Sequence, residues 1–127
     1  MENSAKQNLI ERYIEAYNNF DVEGMLAGLH HNIVFKNIAN GEINLQTDGI
    51  EAFRNQAEQT KAFFSERTQT ITSICFDESE TEVGIDYVGI LAIDLPNGMK
   101  IGDKLELKGK SIFRFSDGKI IEIQDIS

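Results

Sequence analysis

In several stretches after Val83 apolar residues fall on every second position, whereas in the first third they recur every three or four. A two-residue period puts successive side chains on opposite faces of a strand, and a three-to-four period puts them on one side of a helix. Val83, Ile85, Tyr87, Leu91 and Ile93 mark one long strand. Leu105, Leu107, Ser111, Phe113 and Phe115 mark the next, alternating with Glu106, Lys108, Lys110, Ile112 and Arg114. Ile120 to Ile126 is the last strand, and a β-branched run from Thr68 to Phe76 precedes the three. Leu95-Pro96-Asn97-Gly98 and Asp117-Gly118 supply turns between them.

The first half differs. Leu9, Ile10, Tyr13, Ile14 and Tyr17 form one helical stripe, and Ser4 followed by Gln7 predicts a capping box that starts this helix near Ser4. Asp21 predicts the N-cap of a short second helix with Met25, Leu26 and Leu29 on its apolar side. A strand follows over Ile33–Ile38, with Ile33, Phe35 and Asn37 sharing a face. After the Asn40-Gly41 turn comes a short extended piece, Glu42 to Leu45. Asp48 and Glu51 predict the cap of a third helix whose core stripe is Ile50, Phe53, Ala57, Thr60 and Phe64. Segregated helices and meandering strands make this an α+β chain, in which long strands must twist and curl and the helices cover one sheet face. A cavity between helices and sheet is expected there.

At 127 residues the chain fits a single domain over 1–127 that can bury one core without disulfides. Twenty-one acidic against twelve basic residues give a net charge of −9, which repels phosphate backbones and anionic lipid, so neither nucleic acid nor a membrane is an expected partner. The N-terminus carries no apolar leader segment and no run reaches membrane-spanning length, so the cytoplasm is the default location. Cys75, alone and inside a strand-like run, reads as a buried, inert thiol. The adjacent His30-His31 cannot converge on one metal, and a helix-end cation is the better reading of the pair. No cofactor fingerprint and no metal-ligand spacing is present. Asp77, Glu78, Glu80, Glu82 and Asp86 cluster around one strand, and Lys104, Lys108, Lys110 and Arg114 on the next; paired as a hairpin, they would help set register.

Four segments, taken in order, resemble the nuclear transport factor 2-like superfamily, specifically its SnoaL-like and ketosteroid isomerase-like branch. They are Ile10 to Asp21, Gly24 to Leu29 with Ile33 to Asn37, Asp48 to Arg54, and Ser111 to Ile120. The resemblance implies a cone-shaped α+β roll: a curved, mixed, mostly antiparallel sheet wrapped around about three helices and enclosing a pocket. It also implies a homodimer packed through the outer sheet face, where Ile112, Val88 and Ile90 would supply apolar contact.

Ketosteroid isomerase chemistry needs a carboxylate base, with a tyrosine and a protonated aspartic acid donating to the developing enolate oxygen. Laid onto this sequence, the resemblance puts the tyrosine at Tyr13, the base position at Asn37 and the acid position at Ser111. An amide has no useful proton affinity near neutral pH, so Asn37 is no base and that triad is incomplete. Asp125 alternates with Ile121 and Ile123 and would replace the base if its carboxyl faced the cavity, where desolvation would raise its pKa. Its place two residues from Ser127 favours the opposite, a side chain in water.

The candidate catalytic residues are therefore Asp125 and Tyr13. The expected pocket is lined by Tyr13, Tyr17, Phe35, Asn37, Gln56, Tyr87, Leu107, Ser111, Phe113, Phe115 and Ile123. Two functions follow. One is a SnoaL-like domain that binds a small apolar or mixed-polarity, carbonyl-bearing ligand, with isomerase, cyclase or dehydratase chemistry as its enzymatic form. The other is a non-catalytic dimeric module that uses the same cavity for binding or interaction.

Overall fold

A computed structural model describes residues 1–127. Helices α1 (Asn3–Asn18), α2 (Val22–Leu26) and α3 (Ile50–Lys61) accompany strands β1 (Leu29–Ala39), β2 (Glu42–Asp48), β3 (Phe64–Phe76), β4 (Thr81–Leu91), β5 (Lys104–Ser116) and β6 (Lys119–Ile126). The six strands form one sheet in the order β2-β1-β6-β5-β4-β3. Only the β1–β6 pair is parallel. This is the mostly antiparallel α+β roll that the sequence and the resemblance point to.

The two tightest hairpins stand on the turn pairs read from sequence. Asn40 and Gly41 lie at φ 55° and 79°, and Asp117 and Gly118 at φ 55° and 73°, the left-handed geometry that matches the twist of the flanking strands. Register shifts at Asn37/Ile38, Phe64/Glu66, Ile71/Ser73 and Arg114/Phe115 bend the long strands. The sheet curls toward the helices, and Ile10, Ile33, Val83, Phe113, Ile120 and Ile123 close the core between them, each at most 1 % exposed. On the outer face the β4–β5 charges pair as anticipated: Lys108 Nζ meets Asp86 at 3.4 Å, Lys110 Nζ meets Glu82 at 3.1 Å, and Arg114 meets Glu80 at 3.1 Å.

Several local expectations are corrected. α1 starts at Asn3 behind Glu2, with no side-chain cap, and Gln7 reaches forward to Glu11 at 3.4 Å instead of back to Ser4. α3 is entered through Gly49 at φ 89°; Asp48 belongs to β2, where its carboxylate accepts from Gln46. Phe64 opens β3 and does not continue the α3 stripe. His30 and His31 begin the longer β1 and sit at no helix end: His30 is buried, its Nε2 3.2 Å from Asp117 on the β5–β6 turn, and its ring stacks on His31. Cys75 is exposed, because it stands on the outward face of edge strand β3, opposite Glu82.

Candidate active site

The concave side of the sheet is filled at one end and open at the other. Toward Ile120 the helices press onto Phe113 and Ile123. Toward Ile126 they leave a cavity of about 410 Å³ with a mostly apolar wall. α1 brings Tyr13 and Tyr17, α3 brings Phe53, Gln56, Ala57 and Thr60, and the strands bring Phe35, Asn37, Tyr87, Leu107, Ser111 and Asp125. Gly109 lines the wall as well; a Cβ there would lie 2.4 Å from the Ile126 carbonyl oxygen, so the absent side chain lets the end of β6 close against β5.

Asp125 is half-buried and faces the cavity, not the outer surface of the sheet. In the sheet it sits between Asn37 on β1 and Ser111 on β5, its register partners, and its side chain turns to the cavity side. Ser111 Oγ donates to Asp125 Oδ1 at 2.7 Å. Burial raises the carboxyl's pKa from the ordinary 3.8 to about 6, against the lowering effect of the Ser111 bond. The acid thus changes charge close to neutrality. Asn37 also lines the wall, but its amide donates to Asn44 Oδ1 at 2.8 Å, which ties it to β2.

Tyrosines form the other polar feature. Tyr17 donates its hydroxyl proton to the Tyr87 hydroxyl at 3.0 Å, whereas the hydroxyls of Tyr13 and Tyr87 donate to nothing within the chain. Burial is the first cause that raises the pKa of all three, so each remains a neutral donor. Asp125 adds to the rise at Tyr13 and Tyr87, which places all of these groups within one another's field.

Of the eleven residues expected to line the pocket, Tyr13, Tyr17, Phe35, Asn37, Gln56, Tyr87, Leu107 and Ser111 do so. Phe113, Phe115 and Ile123 do not. Phe113 and Ile123 are sealed in the core at 1 % and 0 % exposed, and Phe115 packs against that core with the Lys6 ammonium 5.7 Å from its ring centre. They share the inward face of their strands with the cavity residues, but on the stretch that the helices cover. The sequence reading missed Met25, Phe53, Ala57, Thr60 and Gln69, and it passed over Arg67, buried just behind Tyr17. Phe53 and Ala57 were legible as a helix face, whereas Arg67 and Gln69 carry no apolar alternation to announce an inward face. No three His, Cys, Asp or Glu side chains converge as a metal site, and no helix is long and apolar enough to cross a membrane.

A profile of the SnoaL-like domain matches residues 10–123. The chain belongs to the SnoaL-like domain family. The resemblance to SnoaL-like proteins is thereby upheld over nearly the whole chain. No curated protein sequence matches this SnoaL-like chain. Solved structures do. A candidate polyketide cyclase from Xanthomonas campestris pv. campestris superposes with a TM-score of 0.81 at 18% identity, covering 98% of this chain and 90% of that one. IdmH, a candidate polyketide cyclase from Streptomyces antibioticus, gives 0.76 at 22% identity, covering 94% and 89%. TerC, co-crystallised with polyporic acid, gives 0.76 at 15% identity, covering 96% and 90%. At these identities the SnoaL-like fold is what is shared; the chemistry must be argued from the side chains.

Proposed function

We propose that this SnoaL-like domain binds a small, largely apolar, carbonyl-bearing molecule and moves a proton on it with Asp125. The carrying observation is the Asp125 carboxyl on the cavity wall, held by Ser111 Oγ at 2.7 Å and with a pKa near 6. A base poised near the working pH combines the ionised state with useful proton affinity. A carbon next to the carbonyl gives its proton to the Asp125 carboxylate, and the bonding pair moves onto the carbonyl oxygen. Tyr13, a neutral donor with no partner in the chain, hydrogen-bonds that oxygen. Return of the proton at a different carbon completes an isomerisation; attack of the enolate carbon on a second carbonyl of the same molecule, whose oxygen takes the π pair and then the proton from Asp125, completes a cyclisation. The candidate polyketide cyclases among the structural relatives favour a polyketide-like substrate.

Exchange of the α-protons of β-tetralone in heavy water, followed by NMR, tests this reading. Wild-type protein should accelerate exchange with a rate that rises through pH of about 6. Asp125→Asn should reduce the exchange to the buffer rate. Equal rates for the two proteins would sink the catalytic reading. The second reading is a non-catalytic binding module, dimeric through the outer sheet face where Val88 and Ile112 lie among the ion pairs. It is favoured by Asn37, an amide where a base would be wanted. It predicts thermal stabilisation by the same ketone with no exchange.

A further inference from the structure

Arg67 is the one buried residue among the lysines and arginines. It projects inward from β3, is 4 % exposed, and enters no ion pair. Its Nε donates to the Tyr17 carbonyl at 2.8 Å, and its guanidinium carbon lies 3.7 Å from the Tyr17 ring centre and 4.5 Å from that of Phe20. Nη2 is buried without a partner. Two aromatic faces offset part of the cost of desolvating a guanidinium, but they leave its full positive charge unneutralised.

That charge lies behind the tyrosines of the cavity. Tyr17 lies over it, Tyr17 donates to Tyr87, and Tyr87 keeps a free hydroxyl proton on the cavity wall. From this arrangement we infer that Tyr87, oriented by Tyr17 and backed by Arg67, receives an anionic oxygen of the ligand, an enolate or phenolate, with Arg67 as the positioning residue that supplies the stabilising charge. The assignment rests on the binding reading proposed above and adds a second donor beside Tyr13. A hydroxyl that already accepts a hydrogen bond donates more strongly, and a buried cation acts on a nearby oxyanion through a low dielectric. The field has the required reach: Arg67 lowers the cost of negative charge at the hydroxyls of Tyr13, Tyr17 and Tyr87 alike. The charged or titratable groups lining this cavity are Tyr13 and Tyr17 from α1, Tyr87 from β4, Lys110 from β5, whose ammonium pairs with Glu82 at 3.1 Å, and Asp125 from β6, and of these only Asp125 opposes an anion.

The test uses para-nitrophenol, whose phenolate and neutral forms are separated by absorption, bound to the full chain in the Asp125→Asn background. That background removes the opposing carboxylate and makes the outcome independent of whether Asp125 is a base. The phenolate should bind more tightly than the neutral phenol. Adding Arg67→Gln should cut that preference about tenfold, and Arg67→Lys, which keeps the charge but not the stacking, should restore part of it. Tyr87→Phe, which keeps Arg67, should lower the preference as well, and carries the test if Arg67→Gln does not fold. A phenolate preference unchanged by Arg67→Gln or by Tyr87→Phe overturns the oxyanion assignment alone. Binding of neither form overturns it together with the ligand-binding reading.

Discussion

Ser111 and Asp125 face each other across the β5–β6 ladder, and the serine hydroxyl donates to the aspartate carboxylate at 2.7 Å on the wall of the cavity. Two short polar side chains, set by strand register, thereby place one acid where most neighbours are apolar. The bond favours the ionised acid, burial disfavours it, and burial prevails.

This balance makes stability depend on pH in a direction opposite to that of a salt-bridged acid. Between 3.8 and about 6 the folded chain retains a proton on Asp125 that the unfolded chain has lost. Stability contributed by this site is therefore lost as the pH rises through that window, and the cost is complete above it. Asp125→Asn should match wild type in acid. Above the window it should exceed wild type by about 2–3 kcal/mol, less where water in the cavity screens the charge. Urea unfolding of both proteins from acid to mildly alkaline pH measures the difference; a flat difference would refute the buried titration.

Removing the serine hydroxyl should move the acid further. In Ser111→Ala the carboxylate loses the one hydrogen bond that favours its charged form, so its midpoint should rise above about 6. The side-chain carboxyl carbon resonance of Asp125, titrated by NMR, reports this directly. The pH profile of any proton exchange should shift with it, which a purely structural serine would not produce.

Gly109 controls how β6 ends. A methyl group there would meet the Ile126 carbonyl oxygen at 2.4 Å, a backbone atom that cannot rotate away. Gly109→Ala should cost about 1–3 kcal/mol and loosen the last residues of β6. Amide exchange should rise at Gln124–Ser127 while α1 stays protected, and ligand affinity should fall because Asp125 moves with its strand.

His30 fastens the far end of the same hairpin. Its Nδ1 accepts from the Asn32 amide at 3.0 Å, and its Nε2 lies 3.2 Å from Asp117. Replacement by Ala should leave the Asn32 amide short of a partner, remove the contact with Asp117 and cost about 1–3 kcal/mol. Thermal unfolding of His30→Ala checks this, and para-nitrophenol binding should survive because the pair lies away from the cavity.

How much of this was legible depends on what signal a residue carries. Asn40-Gly41 and Asp117-Gly118 announce their hairpins because few other pairs adopt positive φ twice in succession. The β4 and β5 runs announce their faces because apolar residues alternate with charged ones or glycine over Glu82–Tyr87 and Lys104–Lys108. β3 announces little. Its inward positions include Arg67 and Gln69, set in a threonine-rich run, so the residues behind the tyrosines gave no periodic cue. Asp125 misled for another reason. Closeness to a chain end usually means water, but here the parallel β1–β6 pairing and the bare Gly109 hold the last strand in place.

Alternation also identifies an inward face without saying whether anything fills the space opposite, and Phe113 and Leu107 separate these two cases. Both point inward from β5. Phe113 is 1 % exposed, with its ring 6.1 Å from Tyr13 at an interplanar angle of 76°, whereas Leu107 is 45 % exposed at the cavity. Phe113→Ala should therefore cost about 3–5 kcal/mol, because the core around it is closed and leaves a void. Leu107→Ala should change stability by no more than about 0.5 kcal/mol, since that side chain already meets open space. Ligand binding should respond in the reverse order once stability is restored by low temperature: Leu107→Ala weakens para-nitrophenol, while Phe113→Ala leaves it near the wild-type value. Equal losses of stability in the two variants would mean that the cavity collapses around Leu107 in solution.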